Sequence, residues 1–168
     1  MSRVSFRKAS LALAGILIGI GGCAESPSAP AAVPAYHFLA APAGPQLSRS
    51  GTSSSAVIGP EGGVLTTTNG HRIVFPAGAV AGPTEVTLTS DPRYAGVELE
   101  PHGLQFPAGH EPVLTLNVGA TSLAGFSHVN VLYVDDQDRV LEVLPTDLTG
   151  QRIETRLHHF SGYIGAGS

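Results

Sequence analysis

Residues 129–144 read VNVLYVDDQDRVLEVL, and this stretch decides the fold class. Apolar and polar side chains alternate through Val129–Val134, the acidic run Asp135–Asp138 follows, and Val140–Leu144 is again mostly apolar. Such alternation over a few residues is typical of a β-strand with one buried face. The stretch therefore predicts two strands joined by an acidic hairpin turn.

The same pattern recurs on the N-terminal side of this stretch. Glu85–Thr89 and Val113–Val118 alternate in the same way, and Asn69-Gly70 separates two apolar runs as a hairpin turn would. Turn residues recur about every 8–12 positions, and no window of about 11 residues keeps the 3.6-residue period of a helix. Residues 55–168 are therefore predicted to form an all-β domain, either a sandwich or a barrel.

Composition narrows the classes of function. Of the 168 residues, 42% are hydrophobic and 13% are charged, so the chain can build a core but no long charged helix. One cysteine excludes a disulfide framework and a cysteine-built zinc site. After residue 22, six arginines are outnumbered by thirteen acidic residues. Because this balance repels phosphate backbones, the sequence predicts no nucleic-acid partner.

Residues 1–22 have the layout of a secretory signal peptide. A basic start with two arginines and a lysine precedes the apolar run Ala9–Ile20. That run is shorter than the roughly 20 residues of a transmembrane helix. It ends in Ile20-Gly21-Gly22-Cys23, which resembles the lipobox of bacterial lipoproteins. The alternatives are an ordinary signal followed by a stray cysteine, or an uncleaved anchor.

The lipobox resemblance implies a lipid anchor on Cys23. It implies cleavage before this residue, lipidation of its thiol, and acylation of the new amine by a fatty acid such as palmitate. Two or more chains give stable membrane anchoring. The expected location is the cell envelope, at the surface or in the periplasm. Because Ala24 stands where a retention aspartate would be, we expect the outer membrane if the host has one.

Residues 23–54 are rich in proline, alanine and serine. This composition builds no core, and it predicts a flexible, disordered tether between the anchor and the domain. One apolar cluster, Tyr36-His37-Phe38-Leu39, interrupts it. We interpret the cluster as a transient contact without a function; docking on the domain or on a partner is the alternative.

Five segments between residues 57 and 163 carry a family resemblance. They are GGVL at 62–65, IVFPAGAV at 73–80, TEVTL at 84–88, VELEPHGLQF at 97–106 and PVLTL at 112–116. In this order they resemble the ZU-5 domain, a β-sandwich of ankyrins, netrin receptors, tight-junction scaffold proteins and bacterial surface proteins. The resemblance implies an antiparallel β-sandwich that serves as a module for protein contacts, without a general catalytic activity. The expected partner is another envelope or surface protein.

The residues of these segments also have structural explanations that need no ligand. Gly78 and Gly103 are expected to adopt a positive φ in turns. Leu104 and Phe106 lie two apart and are predicted to face the core. His102 is predicted to be a turn histidine bonded to nearby backbone.

His159-Phe160-Ser161 matches a sequence at which some animal members of the family cut themselves. The resemblance implies attack of the Ser161 hydroxyl on the Phe160 carbonyl, with His159 as the base. This requires a strained backbone. The alternative, which we favour, is a structural last strand from Phe160 to Ile164 with a packed phenylalanine. Leu157 and Phe160 are three apart, which breaks the strand period and suggests a bulge at the histidines.

No other pattern builds a catalytic, metal or cofactor site. Asp135-Asp136-Gln137-Asp138 could hold calcium through its oxygens, but it lacks the glycine and distant glutamate of a calcium loop. A solvated turn is therefore favoured there. The leading hypothesis is a membrane-anchored lipoprotein that displays a β-sandwich as a protein-interaction or structural module, and not an enzyme. Self-processing between Phe160 and Ser161 is the first alternative. A carbohydrate-binding module is the second, although the chain has no tryptophan.

Overall fold

A computed structural model describes residues 35–41, 52–119 and 123–168, which all belong to one compact unit. The predicted signal peptide, Cys23 and most of the predicted tether lie outside the described residues. The part of the chain that is described contains no α-helix, and thus no helix long and apolar enough to cross a membrane.

The described residues form twelve β-strands. They are β1 (His37–Phe38), β2 (Ser53–Ile58), β3 (Gly63–Thr66), β4 (Arg72–Phe75), β5 (Thr84–Ser90), β6 (Gly96–Glu100), β7 (Val113–Asn117), β8 (Val129–Val134), β9 (Val140–Leu144), β10 (Asp147–Thr149), β11 (Arg152–Arg156) and β12 (Gly162–Gly167).

The strands form two antiparallel sheets. The seven-stranded sheet has the order β2-β5-β6-β12-β8-β9, with β1 also beside β12, and the five-stranded sheet has the order β10-β11-β7-β4-β3. This architecture confirms the predicted all-β sandwich. Both predicted hairpins form: β3 pairs with β4 around Asn69-Gly70, and β8 pairs with β9 around the acidic turn. Gly70 has a φ of 89°, which is the conformation that an Asn-Gly turn requires.

The core lies between the two sheets and draws side chains from both. The seven-stranded sheet contributes Val86, Leu88 and Leu99, and the five-stranded sheet contributes Leu114 and Leu116, all fully buried. These residues are the inward-facing members of the alternating strands. Burial of apolar surface at about 25 cal/mol per Å² is the main force that holds such sheets together.

The turn at Pro76–Gly78 (the PAG turn) and the turn at Pro101–Gly103 (the PHG turn) both have the predicted backbone conformation. Gly78 has a φ of 82° and Gly103 a φ of 75°, both in the left-handed region that favours glycine. Phe106 is buried, and Leu104 packs against the same core from a partly exposed position. His102 differs from the prediction, because its ring nitrogen Nε2 contacts the Glu98 carboxylate instead of nearby backbone.

The structure differs from the tether prediction over residues 36–41, which we call the N-terminal strap. His37 and Phe38 pair with Gly167 and Ala166 of β12, and the side chain of Leu39 is only 1% exposed. The strap is therefore part of the folded unit and not a transient cluster. The docking of this segment could not be predicted from its composition, because one buried leucine and a few backbone hydrogen bonds are enough to hold a short segment in place. β2 also begins at Ser53, two residues before the predicted boundary.

The last strand differs as well. β12 starts at Gly162, and residues 157–161 form a connection from β11 in one sheet to β12 in the other, which we call the sheet crossover. Leu157 and Phe160 are both buried in the core. The broken apolar period thus marks a change of sheet and not a bulge within one strand.

Candidate functional site

The sheet crossover holds the predicted His159-Phe160-Ser161 site, and the segment around the PHG turn lies against it. The pairing consists of backbone hydrogen bonds: Gly103 N–H to Phe160 O (3.1 Å), Phe160 N–H to Leu104 O (2.9 Å) and Phe106 N–H to His158 O (3.0 Å). Two segments that the sequence singled out separately are thus one structural unit. Its register brings Gln105 opposite His159 as an isolated antiparallel bridge.

Phe160 anchors the crossover in the core. Its ring lies edge-on to Phe106 at 5.1 Å and to Phe75 at 5.9 Å, measured between ring centroids. Edge-to-face pairs at these distances contribute about 0.5–1.5 kcal/mol beyond the area that they bury. The carbonyl oxygen of Phe160, the atom attached to the carbon that self-cleavage would attack, accepts the Gly103 amide.

His159 faces two tyrosines. The Tyr163 hydroxyl donates to the His159 carbonyl oxygen at 2.6 Å and lies 3.3 Å from its Nδ1 atom. The Tyr133 ring meets the imidazole edge-on at 4.7 Å. Burial raises the pKa of the Tyr163 phenol, which keeps its proton on the oxygen for this hydrogen bond. Sequence reasoning did not identify Tyr163 as a partner of His159, because a tyrosine in an apolar strand carries no distinguishing signal.

The parts of the implied cleavage reaction are not brought into contact. No hydrogen bond joins the His159 ring to the Ser161 hydroxyl among the described residues, although a base must reach the proton that it removes. The described backbone has a positive φ at one non-glycine residue, Asp138, and not in the crossover. In this arrangement the His159 ring and the Phe160 carbonyl are both engaged in structural contacts.

The acidic turn between β8 and β9 is occupied by contacts within the protein. The Asp135 carboxylate accepts the backbone amides of Gln137 and Arg139, and the Arg139 guanidinium binds it as well. These hydrogen bonds lower the pKa of Asp135. Asp138 pairs with Arg93 at 3.0 Å. No group of three metal-ligating side chains forms among the described residues.

A second candidate site is a cleft on the outer face of the five-stranded sheet, which we call the β11 cleft. Its volume is about 670 Å³. Six residues line it: Gly70, Asn117, Thr149, Gln151, Arg152 and Glu154. The strand register places Thr149 and Asn117 on either side of Arg152. This site is not predictable from the sequence, because its residues come from three separate parts of the chain and share no motif.

The sequence was compared with models of known protein families and with curated proteins, and neither comparison finds a match. The ZU-5 and lipobox resemblances therefore stay predictions. Cys23, the predicted lipidation site, lies outside the described residues.

Proposed function

We propose that this protein is a bacterial lipoprotein, anchored through Cys23, that displays a ZU-5-like β-sandwich as a protein-interaction module of the cell envelope. The observation that carries the proposal is the position of the only cysteine, directly after a basic start and a short apolar run. A compact all-β unit that begins a short distance after this cysteine fits the proposal.

Exposed apolar residues on two edge strands support a role in protein contacts. β9 and β10 follow each other in the chain and are edge strands of the two sheets, and they carry Val140, Leu141, Val143 and Leu148 at 40–53% exposure. We call these four residues the apolar edge. Natural proteins usually protect edge strands with charges, prolines or covering segments. An edge with several exposed apolar side chains is therefore a feature of interaction sites.

The anchor is tested by replacing Cys23→Ser. The variant is expected to incorporate no labelled fatty acid and either to leave the membrane fraction or to accumulate with its signal peptide uncut. Ser26→Ala serves as the matched control and should be processed normally. Equal labelling of the Cys23→Ser variant and the unaltered protein would contradict the proposal. If the host has two membranes, fractionation should place the protein in the outer one.

The interaction role is tested at the apolar edge. Leu141→Glu should abolish crosslinking to an envelope protein that the unaltered chain captures in intact cells. Val57→Glu is the matched control, because Val57 is also an exposed apolar residue on an edge strand, on the opposite side of the seven-stranded sheet. Loss of capture in both variants, or in neither, would argue against a partner at the apolar edge.

A further inference from the structure

The arginines of the described residues fall into two groups. Arg93 and Arg139 form ion pairs with aspartates. Arg72, Arg152 and Arg156 are exposed, and no hydrogen bond or ion pair joins their guanidinium groups to another described residue. The register of β4, β7 and β11 places all three on the outer face of the five-stranded sheet. Unpaired guanidinium groups on one face of an acidic protein indicate a surface that can take an anion.

Arg152 is the member of this group that lines the β11 cleft, and the groups around it are polar but not all positive. Asn117 donates its amide to the Asn69 carbonyl at 2.8 Å, which leaves its own carbonyl oxygen as an acceptor. One oxygen of Glu154 accepts the Thr115 hydroxyl at 3.2 Å, which leaves the other oxygen. Thr149, Gln151 and Gly70 complete the lining.

We propose that the β11 cleft binds a sugar that carries a carboxylate, such as a uronic acid unit. A guanidinium group matches a carboxylate with two parallel hydrogen bonds. Glu154, Asn117, Gln151 and Thr149 supply the acceptors and donors that sugar hydroxyls need. The cleft volume falls in the range of small-molecule sites, about 300–1,000 Å³.

The charges beside Arg152 distinguish this ligand from other anions. Glu154 lies two residues along the strand, and Asp147 is its neighbour on β10. An acidic peptide with several carboxylates would meet these two acids and be repelled, whereas the hydroxyls of a sugar donate hydrogen bonds to them. The site is separate from the apolar edge, so its ligand is additional to the protein partner proposed above.

Binding is tested by titration calorimetry on the full chain in detergent, with the monosaccharides galacturonate, glucuronate and mannuronate as three probes that each carry one carboxylate. At least one should bind, and its methyl-esterified form, which has the same hydroxyls without the charge, should bind at least 10-fold more weakly. Arg152→Gln should weaken binding by about 10- to 100-fold, the range expected for losing a charged hydrogen bond. Arg152→Lys, which keeps the charge but not the two parallel hydrogen bonds, should fall between.

Arg156→Gln is the matched control, because Arg156 lies on the same strand and face but does not line the cleft. It should bind the probe within about 2-fold of the unaltered protein. The proposal is overturned if none of the three probes binds, if Arg156→Gln weakens binding as much as Arg152→Gln, or if polyglutamate binds as tightly as the best uronate. Because Arg152 is exposed, the melting temperatures of its variants should match that of the unaltered chain. Glu154→Gln changes a second residue of the cleft and provides an independent variant.

Discussion

The backbone amide of Leu39 donates to the carbonyl oxygen of Gly165 at 2.8 Å, and this hydrogen bond joins the N-terminal strap to the last strand of the chain. The carbonyl of Leu39 in turn accepts the amide of Ala95, also at 2.8 Å. A Cβ atom at Gly165 would lie 2.9 Å from the Ile153 side chain and 3.4 Å from that of Leu39. The absence of a side chain at Gly165 therefore makes room for the side chains of Leu39 and of Ile153 from the opposite sheet.

Leu39→Ala should destabilise the protein by about 2–5 kcal/mol, because it removes a fully buried leucine and leaves a cavity. The measurement is urea unfolding followed by circular dichroism. Leu148→Ala is the matched control: Leu148 is 49% exposed, and its loss should change the free energy of unfolding by less than about 0.5 kcal/mol. Equal losses in the two variants would show that the strap is not held as the structure describes.

A second prediction concerns the length of the folded unit. A fragment of residues 35–168 should be more stable than one of residues 55–168, which lacks the strap and the first two residues of β2. The loss should be at least that of Leu39→Ala, about 2 kcal/mol or more, since the whole strap is absent. Guanidinium unfolding of both fragments provides the comparison, and coincident transitions would mean that the strap contributes nothing.

A third prediction concerns the three phenylalanines of the core. Phe106→Ala should cost about 3–5 kcal/mol, because its ring packs edge-on against both Phe75 and Phe160. The double variant with Phe160→Ala should destabilise the protein by less than the sum of the single changes. The difference should be about 0.5–1.5 kcal/mol, the value of one aromatic pair. Strict additivity would indicate that the two rings do not interact.

A fourth prediction concerns pH. His71 is fully buried, its Nδ1 atom accepts the backbone N–H of Asn117, and its Nε2 atom has no partner among the described residues. Burial disfavours the charged ring and lowers the pKa of His71 from 6.5 to about 4. Between these pH values the unfolded chain binds a proton that the folded chain does not bind. Stability should therefore fall as the pH falls from 6.5, by about 3 kcal/mol at pH 4.

Chemical unfolding between pH 7 and 5 measures this effect before most carboxylates titrate. His71→Asn keeps an acceptor near the backbone N–H of Asn117 but removes the titrating group. Its stability should change less over this pH range than that of the unaltered protein, whatever its stability at pH 7. Parallel pH curves for the two proteins would exclude His71 as the source.

The fifth prediction is that the chain is not cut between Phe160 and Ser161. The Phe160 carbonyl accepts the Gly103 amide, and the His159 ring lies against Tyr133 and Tyr163. Intact mass under denaturing conditions should show one species, because a cut β12 could otherwise stay bound in the sheet. Release of the peptide from Ser161 to Ser168, abolished by Ser161→Ala and slowed by His159→Ala, would establish the cleavage that the sequence resembles.

Several features of this protein were determined by sequence over short distances. Alternation in Val129–Val134 predicts a strand, Asn69-Gly70 predicts a hairpin, and the glycines at 78 and 103 predict left-handed turns; the structure contains all of them. Each depends on side-chain direction or on the φ of one residue, and a few neighbouring residues settle it. The basic and apolar start that ends at Cys23 is a local pattern too, and its interpretation as a lipoprotein signal stays a prediction.

Other features were decided only by the tertiary structure. The strap docks because the backbone of Leu39 forms hydrogen bonds with Ala95 and Gly165, which are distant from it along the chain. The two-residue apolar period is interrupted between Leu157 and Phe160 because the chain passes there from one sheet to the other. The β11 cleft exists because strand register sets Arg152 between Thr149 and Asn117. In each case the deciding contact joins residues that are far apart in sequence, and local periodicity carries no information about which distant strands pair.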